Sequence, residues 1–360
     1  MSHLYDELSQ AVKNAAGLSV NAKLSALDGS THVLPPTYAN APYKHNMTEP
    51  DGSGVSAWVS IDSAASFANR VEERLERSYP DLAPLRVHVD AEGCTLSTLQ
   101  MPHRVFDAIL RDSLLEGIEF RKTAIGRAVT RASASDAAAL LKYDPSVLLL
   151  GGWDSTALGG GRGRERKWPA ALSVEITGRN ARIIRRAGGR LDPLGITLDA
   201  GRVIREGDRY RLVPEGEAPP TDAERPSEIN HGNIAPSLDP KGVLVESIEL
   251  SGALSLSRLR RYRFGGDEAS NQAARLFLTC MGVYGVAAVL EDGLDLRRDC
   301  ELVADAITWT LRGTARADPL EVSVDAAREA LDKATERVKL ADPIMLTAGT
   351  NLEQLVTRSR

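Results

Sequence analysis

The sequence predicts an α+β fold. Amphipathic helical runs alternate with short strand-like runs. The strand-like runs are joined by hairpin-type turns, without the regular strand–helix repeat that builds a doubly wound parallel sheet. A long apolar helix over 269–291 supplies a core element. A ferredoxin-like βαββαβ core elaborated by insertions is the simplest arrangement that fits. The 360 residues, 42% hydrophobic and 26% charged, are ordinary for a globular protein of one elaborated domain or two.

The elements follow in order. Residues 4–27 read as an amphipathic helix followed by apolar–polar alternation. Residues 35–56 hold Pro35, Pro36, Pro42, Pro50, Gly52 and Gly54 and read as loop. Residues 58–62 read as a strand. Asp62 or Ser63 then caps a helix over 64–79, where Phe67, Val71 and Leu75 recur on one face. Residues 85–90 alternate as a strand. Pro102 opens a helix over 103–116, burying Val105, Ile109 and Leu110. On such a helix Arg104 and Arg111 lie on one side, two turns apart. Shorter helices cover 123–131 and 135–142, and 147–150 and 171–177 read as strands.

Residues 178–232 are rich in Arg and Gly, with a hairpin within 202–213 and a Pro/Glu-rich stretch at 215–226. They read as a protruding insertion, with a disordered linker as the alternative. Residues 242–251 form a strand, and 254–262 a short helix carrying Arg258, Arg260 and Arg261. Residues 269–291 form a long apolar helix whose apolar run, 276–290, is too short, too rich in Gly and too close to Arg275 for a membrane span, so a buried helix is expected. Residues 294–303 are extended, and 322–340 form an amphipathic helix of mixed charge.

The formal net charge of −5 excludes a protein that is basic all over. Between residues 162 and 211, however, 13 Lys/Arg stand against 6 Asp/Glu, so a polyanion site belongs there. The segment 151–167, GGWDSTALGGGRGRERK, adjoins it. Its glycines permit close backbone approach, and Arg162, Arg164, Arg166 and Lys167 supply charge that matches phosphate. An ordinary mobile surface loop is the alternative reading.

Walker, GxGxxG, HExxH, GxSxG and kinase patterns are missing, so no enzyme is indicated. Cys94, Cys280 and Cys300 lack metal spacing. They read as reduced thiols of a cytoplasmic protein, and neither metal nor cofactor is expected. The polar, acidic start shows no signal peptide. His103, four residues before Asp107, and His231, in Asn230-His231-Gly232-Asn233, read as structural contacts or turn chemistry rather than catalytic bases. Arg104 and Arg111 can hold successive phosphates, or pair with Asp107 and Asp112. Residues 159–211 hold only two aromatics, Trp168 and Tyr210. A nucleic acid would therefore be held by its backbone, without sequence readout.

Six stretches then stand together in order between about 58 and 303. They are IDSAASFANRVE (61–72), PHRVFDAILRDS (102–113), the 151–167 segment, PSEINHGNIAP (226–236), LSRLRRYRF (256–264) and LDLRRDC (294–300). As a set they resemble the backbone subunit of type I-G (formerly I-U) CRISPR effector complexes, of the Cas-seven family of RAMP proteins. The resemblance implies an RRM-like palm with inserted finger and thumb elements and added helices. It implies a non-catalytic subunit whose copies assemble side by side along guide RNA (crRNA), holding its phosphates while its bases pair with target DNA.

Other Cascade subunits, a large subunit and a guide-end-processing subunit, are implied partners, and no membrane is. His103, Arg104 and Arg111, then Arg162, Arg164, Arg166 and Lys167, would face the guide. Asn230, His231 and Asn233 match the block that returns the chain to the palm. The expected division is an N-terminal extension (1–57), palm with helical insertion (58–177), thumb-like insertion (178–232), return of the palm (233–312) and a helical tail (313–360). The competing readings are a nucleotide-binding enzyme using 151–167 and an RNA-free self-assembling structural protein.

Overall fold

The computed structural model describes residues 3–37, 47–155, 166–197, 199–313 and 317–359. Its organising strand is Gly17–Ala26, in which Leu18, Val20, Ala22 and Leu24 alternate into the core. This strand pairs antiparallel with Ser247–Ser255 on one side and with Cys300–Arg312 on the other. Ser247–Ser255 pairs in turn with Leu172–Arg190. Helix Ala64–Ser78 lies between the first and second of these strands in sequence, and Glu268–Glu291 between the third and fourth. The strands therefore lie across the sheet in the order fourth, first, third, second, all antiparallel. That is the βαββαβ arrangement expected from sequence.

Ser63 caps the first of these helices, its hydroxyl accepting from Ser66 N at 3.3 Å. Phe67, Val71 and Leu75 are buried, as the spacing required. Glu268–Glu291 is apolar on every side, and nearly all of it from Asn271 to Leu290 is buried. It is long and apolar enough to cross a membrane, but 94% of its most apolar window lies inside the fold. At Gly285 a Cβ would stand 2.6 Å from Val71 Cγ1, so glycine is what lets the two core helices touch.

Several elements differ from expectation. No helix spans 103–116. A 3₁₀ turn (Arg104–Phe106), a single helical turn (Ala108–Arg111) and a strand (Ser113–Leu115) stand there instead. Arg104 has φ 55°, which no right-handed helix accommodates. Asp107 accepts from Ile109 N and His103 N, both at 2.9 Å, and so starts a new cap midway. Residues 147–150 lie in a short helix, Ser146–Leu150, buried throughout. A run apolar on all sides carries no period to separate helix from strand. The 135–142 helix begins later, at Ala138. The single strand read at 242–251 is two, Ile234–Leu244 and Ser247–Ser255.

The expected boundary at 178 is crossed without a break by Leu172–Arg190. The tail, too, is more than helical. Ile344–Ala348 is the middle strand of a second sheet, parallel to Leu85–Val89 and antiparallel to Ser113–Leu115.

Candidate nucleic-acid interface

Leu172–Arg190 changes partners along its length. Up to Arg179 it pairs with Ser247–Ser255, and from Arg182 onward it pairs with Ile234–Leu244. Asn180, at φ 50°, lies between the two pairings. The outer half forms a ribbon with Ile234–Leu244, which is exposed from Ile234 to Lys241. Alternation puts Arg182, Arg186 and Arg190 on one face of the strand and Arg185 on the other. Beyond it, the expected hairpin forms from Val203–Glu206 and Arg209–Leu212, turning at Gly207 with φ 60°.

Most of the arginines in this region stand without a carboxylate partner. Among the described residues Arg182, Arg185, Arg186, Arg202, Arg205 and Arg209 make no ion pair. Several guanidiniums of the body, by contrast, are spent on carboxylates. Arg121 meets the buried Asp154 at 2.8 Å, Arg275 meets Glu268 at 2.7 Å, and Arg70 meets the buried Asp62 at 3.1 Å.

Asn230, His231 and Asn233 sit at the ribbon's end, all exposed. Asn230 and Gly232 have φ 64° and 85°, as turn chemistry requires. Arg190 donates to the carbonyls of His231 and Gly232 at 2.7 and 3.1 Å. Asn233 Oδ1 accepts from Asp192 N at 2.7 Å. The backbone N–H groups of Gly232 and Leu194 hold the Asp192 carboxyl below the usual carboxylate range. The segment clips the two strands of the ribbon together.

The 151–167 segment closes on itself. Gly152–Asp154 pairs antiparallel with Arg166–Trp168, setting Trp153 opposite Lys167. Arg162 and Arg164 lie outside the described residues, and Arg166 is described only as backbone of this pairing. Trp153 is 41% exposed. His103 meets it edge-on, 6.0 Å between ring centroids, and Lys167 Nζ stands 5.8 Å from its centroid. Sequence reading brought His103 and Lys167 forward but not the tryptophan between them. Only the register of the two short strands discloses it.

Two expected guide-facing residues are placed otherwise. Arg104 is buried, its Nε 2.7 Å from Glu72 Oε1 and its Nη1 donating to Gly151 O at 3.0 Å. It is a strut beneath the glycine that starts the segment, and its charge is spent on Glu72. Burial pushes the Glu72 carboxyl up to about 7, against the pull of Arg104. Nearby Asp144 is fully buried and also raised by burial, although Ser146 and Val105 N–H donate to it. Arg111 donates to both oxygens of Asp112, at 2.7 and 2.6 Å, and is neutralised there. Without the helix, the two arginines share no face.

The family model described as CRISPR-associated protein GSU0053 matches residues 18–183. No curated protein matches the chain. Among solved structures, a chain of a CRISPR RNA-guided surveillance complex, pre-nicking, is similar at 10% identity, covering 96% of this chain and 100% of that one. The TM-score of that likeness is 0.32.

Proposed function

With the family match over residues 18–183, the resemblance to Cas-seven backbone subunits is borne out, and on that premise we propose that the chain is a non-catalytic backbone subunit of a type I CRISPR complex, of subtype I-G. Copies of it line up along guide RNA in the cytoplasm. Each holds phosphates and leaves the bases free to pair with target DNA. The large subunit and the guide-end-processing subunit complete the assembly. The ribbon acts as the thumb, Asn230, His231 and Asn233 set its end, and His103, Trp153 and Lys167 mark where the 151–167 segment meets the guide.

The observation that carries this reading is the segregation of charge. In a chain of net charge −5, the stretch 162–211 is basic, and within it Arg182, Arg185 and Arg186 of the ribbon make no ion pair among the described residues. Unpaired guanidiniums in a row fit a polyanion held by its backbone.

The test is the nucleic acid that accompanies purified protein. RNase-sensitive material of one narrow length class is expected, and Arg162→Ala, Arg164→Ala and Arg166→Ala combined should abolish its retention. Protein free of nucleic acid that still assembles, or turnover of a mononucleotide, contradicts the proposal.

A further inference from the structure

A cavity of about 430 Å³ lies beside the 151–167 segment, lined by Ala132–Ala134, Lys167–Pro169, Arg258, Arg261 and Tyr262. Its size is that of a small-molecule site. Among the described residues its lining holds no carboxylate. Lys167 and Arg261 make no ion pair among the described residues, so two uncompensated cations flank one hollow. Arg258 is held in place by donating to Ala170 O.

Tyr262 is the second unusual feature. It is 4% exposed, yet its hydroxyl has no hydrogen-bond partner among the described residues. A buried hydroxyl without a partner costs free energy, and buried tyrosines ordinarily find one. Its backbone carbonyl accepts from Arg275 Nη2 at 3.1 Å, which ties it to the long core helix. Its ring leans on Trp168 at 5.7 Å between centroids. Burial raises the phenol above its usual value while Arg258 and Arg261 pull it down. Both guanidiniums therefore act on the phenol, and it stays a neutral donor at physiological pH.

We propose that this cavity seats one nucleotide unit of RNA, with its phosphate on Lys167 and Arg261 and a polar edge of its sugar or base on the Tyr262 hydroxyl. The assignment rests on the RNA-binding reading above and adds a pocket to it. A carboxylate from a neighbouring protein would satisfy one cation, but would leave the second cation and the aromatic wall without a partner. A nucleotide unit has the charge, the volume and the polar edge together.

Full-length protein is titrated with labelled single-stranded RNA over a range of salt, as wild type, Tyr262→Phe and Arg261→Gln, with melting temperature as control. Tyr262→Phe removes one hydroxyl. It should weaken binding roughly three- to tenfold, with salt slope unchanged and the melting temperature of the RNA-free protein equal or higher. Arg261→Gln should flatten the slope of log K against log[salt] by about 0.7, one single-strand phosphate. Crosslinks from thiouridine-bearing RNA should map to peptides containing 132–134 or 258–262.

If wild type binds RNA and both variants match it in affinity and slope, the pocket assignment is wrong and the RNA reading stands. Variants that match in RNA binding but lose self-association make the cavity a protein site, which also overturns the proposal. If wild type binds no RNA, the underlying reading fails and the pocket assignment falls with it.

Discussion

Arg104 shows how a residue in a recognisable block ends up serving the fold. Its left-handed backbone turns the guanidinium inward to Glu72 and Gly151. Arg104→Ala leaves the Glu72 carboxyl and the Gly151 carbonyl buried without their donor, a loss of about 1–3 kcal/mol, measurable by denaturant unfolding. RNA affinity per folded molecule should not change. Glu72 itself gives a pH signature. Its carboxyl titrates at about 7 in the folded chain, against an ordinary 4.5. Between those values the folded state keeps a proton that the unfolded state has released, so the Glu72 contribution to stability falls as pH rises. Glu72→Gln should remove that decline from a plot of melting temperature against pH. A decline of equal slope in the variant would assign it to other groups.

Elements were legible in proportion to how locally they are determined. Ala64–Ser78 announced itself through a serine cap and three apolar residues four apart, and the 203–212 hairpin through its turn. The 103–116 region misled because a helical apolar spacing was interrupted by an aspartate that caps instead of continuing. Ile344–Ala348 was invisible for another reason. It is five residues long, and its partners lie more than two hundred residues earlier in the chain. No local pattern encodes that pairing. Leu346 is fully buried at its centre, so Leu346→Ala should cost about 2–5 kcal/mol in equilibrium unfolding. A smaller effect than the exposed Met345→Ala would contradict this placement.

At the scale of the molecule, the basic bias of 162–211 was legible as composition, and the structure turns part of it into a geometry. The site was half visible beforehand. Lys167 and His103 were named, and the ribbon was sensed as an insertion. Which arginines remain free was not readable, because pairing depends on carboxylates brought from distant segments, such as Asp154 to Arg121 and Glu72 to Arg104. The ribbon from Arg182 to Arg190 extends about 27 Å at strand spacing, long enough to follow several successive phosphates. The account therefore stands on the free charge of Arg182, Arg185 and Arg186.

The salt dependence of single-stranded RNA binding measures that charge directly. Replacing these three arginines with glutamine should lower the slope of log K against log[salt] by about 2, at roughly 0.7 per phosphate, with melting temperature unchanged. A triple variant that binds RNA with the slope and affinity of the wild type would show that the ribbon does not hold the guide.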